Sequence, residues 1–139
     1  MLQIITVGVL IIKDNQILLV KHKAKASHLN NVYGLPAGRV KDGESFEEAA
    51  KRELEEETSL VANELKEYPN NEYIADIKRK DGTTKTFSIT IFLCNEFSGE
   101  LKENEETRPE WINLSDVSEL ELLPNIEKII RDGRSIINE

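Results

Sequence analysis

The sequence predicts a mixed α+β fold on three observations. Runs of β-branched and apolar residues recur between turn residues, a helix-opening signature stands at Ser45 and Glu48, and an amphipathic stretch begins near Asn125. Ile4 to Ile12, "IITVGVLII", is the first run. Lys13, Asp14 and Asn15 supply turn chemistry before Gln16 to Val20, "QILLV", so the two runs are expected to form a hairpin. The polar stretch "KHKAKASHLNN" then reads as a surface loop carrying both histidines, His22 and His28.

In "GLPAG", Gly34, Pro36 and Gly38 predict a sharp turn with room for close approach to the backbone, and Asp42–Gly43 a second turn. Ser45 followed by Glu48 matches a capping box, in which each side chain satisfies an orphan N–H at a helix start; the helix is placed at Ser45 to Thr58. A middle segment without a clear pattern follows. "NEYIADIKRK" and "DGTTKTFSITIFLC" then read as hairpin partners around Asp81–Gly82. Beyond the acidic loop "ELKENEETRPE" comes a short strand around Trp111, and Asn125 to Arg131 reads as a terminal helix.

With 139 residues, 39% hydrophobic and 32% charged, the chain suits one folded domain, residues 1–139, with no repeat or linker. A net charge of -8 without a Lys/Arg tract argues against nucleic acid as a partner, while a small phosphorylated ligand stays open if a cation mediates. The single cysteine, Cys94, sits in an apolar run and reads as a core thiol, consistent with a cytoplasmic setting. The apolar N-terminal run reaches Lys13 too soon to span a bilayer and lacks a basic leading segment, so no membrane association is expected. A homodimer is left open.

Four of the five residues from Glu53 to Glu57 are carboxylates. At about 100° per residue, Phe46, Ala49, Ala50, Glu53, Leu54 and Glu57 share one arc, opposite Glu47, Glu48, Lys51 and Glu55. Glu53, Glu56 and Glu57 therefore neighbour one another beside a core-facing surface. Ionised carboxylates so placed need protonation, cationic partners or a metal, and Arg52 compensates only one charge. Oxygen-only ligands suit Mg²⁺ or Mn²⁺ better than Zn²⁺. An exposed, charge-laced helix is the plain alternative.

The stretch from Gly38 to Leu60 resembles the signature of the Nudix hydrolases: Gly38, Glu44, Arg52, Glu53, Leu54, Glu56, Glu57 and Leu60 match in type and spacing. Ser59 departs, standing where the pattern has glycine. The resemblance implies an α/β/α sandwich with a central mixed sheet, and metal-dependent hydrolysis of a pyrophosphate bond in a nucleoside diphosphate linked to a further group. It also implies roles. Glu56 and Glu57 would be the primary metal ligands, Glu53 a ligand or general base, and Arg52 the group that orients Glu53. Glu44 would support the loop, and Gly38 would bring a backbone carbonyl to the metal.

Some members of that family draw a base or ligand from a loop outside the signature. Here that points to Glu105 first, Glu106 second and Glu103 last, with a merely solvated loop as the alternative. Arg39, Lys41 and Lys23, with Lys21 beside them, are candidate phosphate-binding residues; Tyr33, Tyr73, Phe87 and Trp111 could stack on a base or simply fill the core. His22 and His28 lack metal spacing. Ala75, Asp76 and Ile77 stand where some specificity subgroups of that family carry proline or tyrosine, and the pattern associated with coenzyme A hydrolysis is not evident upstream; this disfavours ADP-ribose, dinucleoside polyphosphates and coenzyme A and leaves a nucleoside triphosphate or another nucleotide derivative. The alternative functions are a catalytically silent nucleotide-binding regulatory module on the same scaffold, or a hydrolase of ADP-ribose or another nucleotide sugar.

Overall fold

A computed structural model describes residues 3–23 and 31–137 of the chain; His28 lies outside them. The first apolar run splits at Ile11 into β1 (Ile4–Leu10) and β2 (Ile12–Lys13), followed by β3 (Gln16–His22), β4 (Tyr33–Gly34) and β5 (Ala37–Arg39). Next come α1 (Phe46–Thr58), the long hairpin strands β6 (Val61–Lys78) and β7 (Thr84–Ser98), β8 (Thr107–Asn113), a 3-10 turn at Leu114–Glu119, and α2 (Ile126–Ile137). Among the described residues no helix is long and apolar enough to cross a membrane.

One sheet runs in the order β5-β1-β7-β6 and is mixed, because β1 and β7 are parallel and the other neighbours antiparallel. Strand alternation gives it two apolar faces. Val7 and Val9 of β1 and Ile11 just beyond it, with Phe92 and Cys94 of β7, meet Ala49, Ala50 and Leu54 of α1. From the other face, Leu10, Ile91 and Leu93 meet Ile126, Ile129 and Ile130 of α2. The sheet between two helices is the sandwich that the resemblance implied. A second, antiparallel sheet forms around β3, which pairs with β2, β4 and β8.

The expected hairpin of Ile4 to Ile12 with Gln16 to Val20 is therefore corrected. Only Ile12 and Lys13 pair with β3, at Ile17 and Gln16. Residues 4–10 instead lie between β5 and β7, because a strand apolar on both faces gains most at the centre of a covered sheet. "GLPAG" is also no glycine turn: Gly34 and Gly38 lie in β4 and β5, outside the positive-φ residues. The unpatterned middle segment belongs to β6, whose register shifts between Ala62 and Glu72 break the period-two alternation that a sequence reading needs. α2 runs six residues past Arg131 because Gly133 is buried against the Leu10 side chain, where any Cβ would collide.

The capping box at the start of α1 forms as expected. The Glu48 N–H donates to Ser45 Oγ at 3.1 Å and the Ser45 N–H to Glu48 Oε1 at 2.9 Å. At the other end Ser59 takes φ 68° and ψ 7°, and its N–H donates to the Glu55 carbonyl. It thus adopts the left-handed conformation that glycine reaches without steric cost. Ser59→Gly is expected to stabilise the fold by about 1 kcal/mol, read as a higher denaturation midpoint with an unchanged slope.

Candidate functional site

α1 is held over β5 by its buried stripe of Ala49, Ala50 and Leu54. Glu53, beside that stripe, is thereby aimed at the strand. Gly38 makes the approach possible, because a Cβ there would occupy the space of the Glu53 carboxylate. The room expected at Gly38 exists, and the protein's own glutamate fills it. One residue earlier, the Ala37 N–H donates to Glu57 Oε1 at 2.7 Å.

Arg52 ties the cluster together. Its Nε and Nη2 donate to the two oxygens of Glu44 at 2.6 and 2.9 Å, in a bidentate clasp. Nη1 donates to Glu53 Oε1 at 2.7 Å and to Glu56 Oε2 at 3.2 Å, while Nη2 also reaches the Arg39 carbonyl at 2.9 Å. Three carboxylates thus share one guanidinium, and Glu57 stands outside this set with the Ala37 N–H as its partner. Glu53 is 14% exposed and Glu56 54%. Among the described residues no three His, Cys, Asp or Glu side chains stand ready to clasp an ion in this arrangement.

The electrostatics separate these carboxylates. The Arg52 clasp, aided by the Lys41 N–H, holds the Glu44 carboxyl down at about 2. Burial pushes Glu53 up against the pull of Arg52, and the Glu56 charge adds to the rise. Glu57 is raised furthest. Burial is the main cause, the Ala37 N–H opposes it, and the charges of Glu53, Glu56 and Glu106 reinforce it. Among the described residues Glu57 has no ion pair.

Two hollows meet at Glu53 and Glu57. The larger, about 670 Å³, runs across the α2 face of the mixed sheet, with Arg39 and Lys41 at the β5 end. The smaller, about 400 Å³, is lined by Glu53, Glu56 and Glu57 together with residues 104–107. Glu105 and Glu106 both border the smaller hollow, and Glu106 borders the larger as well. Glu103 instead pairs with Lys23 at 2.9 Å, and Lys23 also donates to the Asn104 carbonyl at 2.7 Å. Lys23 thus braces the acidic loop and is not among the cleft-lining residues, unlike Arg39 and Lys41.

The sequence reading missed the residues that hold this loop to α1. Asn104 Nδ2 donates to the Glu56 carbonyl at 3.0 Å, its Oδ1 accepts the N–H groups of Glu106 and Thr107, and Thr107 Oγ1 reaches the Glu57 carbonyl at 3.3 Å. The available signal was the asparagine itself, which turns a backbone by accepting N–H groups just ahead of it.

His22 is a correction. It ends β3, is 7% exposed and lines the larger cleft, because β3 continues two residues beyond the predicted strand end. Of the four aromatic candidates, Phe87 lines the cleft. Tyr33 donates to Glu110 beneath Lys21, Tyr73 donates to Asp132, and Trp111 packs on Phe97.

A family model described as the NUDIX domain matches residues 2–133. An oxidized purine nucleoside triphosphate hydrolase of Danio rerio is 30% identical over 110 residues, covering 78% of this chain and 65% of the relative, just under two thirds of its length. An ADP-ribose pyrophosphatase of Methanocaldococcus jannaschii is 33% identical over 132 residues, covering 92% of this chain and 71% of that protein. Among solved structures, the E. coli ORF135 protein matches with a TM-score of 0.73 at 22% identity, covering 98% of this chain and 91% of that one, a likeness of fold.

Proposed function

Since this chain belongs to the Nudix family, we propose that it hydrolyses a phosphoric anhydride bond of a nucleotide, with Mg²⁺ or Mn²⁺ held by Glu53, Glu56 and Glu57. The observation that carries this reading is Glu57, a buried carboxylate at a cleft wall, surrounded by like charges and lacking an ion pair among the described residues. The donor set is all oxygen and suits a hard divalent cation. When bound, such an ion neutralises a diphosphate and lowers the pKa of water.

Around it the chain's own groups have distinct tasks. Arg52, fixed bidentately by Glu44, sets the position of Glu53. Gly38 keeps the strand close enough for that carboxylate, and its carbonyl is a further ligand candidate. Arg39 and Lys41 attract the phosphates at the same end. Of the distal carboxylates, Glu106 is favoured over Glu105 as proton acceptor, because it borders both hollows. The proposed unit is one domain over residues 1–139; the lone cysteine supports a cytoplasmic setting.

A nucleoside triphosphate, including one with an oxidised purine, is the first substrate class, supported by the name of the zebrafish relative and by Ala75, Asp76 and Ile77. ADP-ribose is the second, supported by the archaeal relative. The test has two parts. Titration calorimetry with Mg²⁺ and Mn²⁺ is expected to show saturable binding that Glu56→Gln weakens about tenfold or more. A panel of both substrate classes, with phosphate, pyrophosphate and nucleotide products separated, is expected to show turnover that chelation removes. No ion binding and no turnover across the panel would refute the proposal.

A further inference from the structure

The cleft is much larger than its glutamate end requires. β5, which carries Gly38, is one edge of the mixed sheet and β6 is the other, three strand spacings or about 14 Å away. Between them the floor is Thr6, Ala75, Ile77, Phe87 and Ile89, and the facing wall includes Leu123, Pro124 and Ile126. Phosphates gain nothing from such a surface. It must receive the part of a ligand that is not phosphate.

At the β6 end this apolar floor stops at a cation. Arg79 follows β6 directly, borders the cleft, and sets its guanidinium carbon 5.8 Å from the centroid of the Phe87 ring. The turn beneath it is well tied. The Arg79 N–H donates to the Thr83 carbonyl at 2.8 Å, the Gly82 N–H returns to the Arg79 carbonyl at 3.0 Å, and Asp81 accepts both the N–H and the hydroxyl of Thr83. A planar delocalised cation over an aromatic face offers a second flat surface to a ring, whereas an aliphatic or sugar group gains little from it.

We propose that Arg79 and Phe87 form a ring-recognition end of the cleft, with Arg79 a specificity-determining residue that selects substrates carrying a flat heteroaromatic ring far from the scissile phosphates. This rests on the hydrolase reading above. The planarity of the guanidinium carries the selection, so lysine does not substitute for arginine.

Arg79→Lys, Arg79→Met and Phe87→Leu are assayed against dGTP and against inorganic tripolyphosphate, which has no ring. All three variants are expected to raise KM for dGTP about three- to tenfold with kcat within about twofold, leaving tripolyphosphate kinetics unchanged. A wild-type KM in Arg79→Lys would overturn the proposal by reducing Arg79 to an attracting charge, as would equal losses on both substrates. Should wild type cleave neither, the hydrolase reading fails by itself. Calorimetry with dGMP in chelator then decides the ring site: weaker binding to Arg79→Met than to wild type supports it, and equal or absent binding overturns it.

Discussion

Glu57→Gln is expected to lose turnover by at least about 100-fold and yet to melt at a higher temperature than the natural protein at pH 7. The first effect follows from removing a charge from the oxygen cluster proposed to hold the ion. The second follows from the cost of that charge when no ion is present. Glutamine keeps an oxygen for the Ala37 N–H, which Glu57 accepts at 2.7 Å, and removes a carboxylate pressed by burial and by Glu53, Glu56 and Glu106. Relief of about 1 kcal/mol would raise the melting temperature by roughly 3 to 6 °C in a chain of this size.

The pH dependence fixes the sign. The folded-state pKa of Glu57 lies well above its ordinary value of 4.5, so the folded protein holds this proton more tightly than the unfolded chain. The stability conferred by the neutral form is fully present below about 4.5 and is lost as pH rises through the elevated folded value. The advantage of Glu57→Gln should therefore vanish near pH 4 and grow toward neutrality. Added Mg²⁺ should reverse the order by stabilising only the natural protein. Glu44 works in the opposite direction: held at about 2, it stabilises the fold above its unfolded value and ceases to do so as pH falls through about 2. A scanning-calorimetry series from pH 2 to 8, with and without Mg²⁺, separates the two carboxylates, Glu44 acting at the acid end and Glu57 toward neutrality. Retained turnover in Glu57→Gln would remove that residue from the site.

What the residues disclosed in advance depended on how local each signal is. The capping box and the neighbourhood of Glu53, Glu56 and Glu57 follow from helical spacing alone, and α1 starts after Ser45 as that pattern demands. The fate of residues 4–12 could not follow from spacing, because a run apolar on both faces has no period, and its partners lie some eighty residues away on β7. The end of α2 lay hidden for a related reason. The expected helix stops at Arg131, whereas the observed one continues through Gly133, whose contact with Leu10 only the folded core creates. At the site, the carboxylates were legible and their restraints were not. Arg52 bonds Glu44 across eight residues, and Asn104 anchors the acidic loop to a carbonyl forty-eight residues earlier.

Gly38→Ala should reduce turnover by about 100-fold or more with little change in stability, because the damage falls on a side chain and not on the strand. Gly38 is absent from the positive-φ glycines, so alanine meets no conformational barrier, and β5 keeps its pairing of residue 38 with Val7. The new methyl group would, however, stand where the Glu53 carboxylate now lies. Glu53 is the far end of a flexible side chain and can swing away, giving up its 2.7 Å bond to Arg52. A shorter carboxylate has room to return. Glu53→Asp alone withdraws the group from the site, but in combination with Gly38→Ala it removes the overlap, so the two losses should be less than additive. Gly8→Ala is the stability control: its Cβ would come within 3.0 Å of Ile89 Cδ1 and 3.1 Å of Ile91 Cδ1, lowering the melting temperature with far less effect on turnover than Gly38→Ala. Strict additivity in the cycle, or full activity in Gly38→Ala, would show that the Glu53 position over β5 does not matter for the reaction.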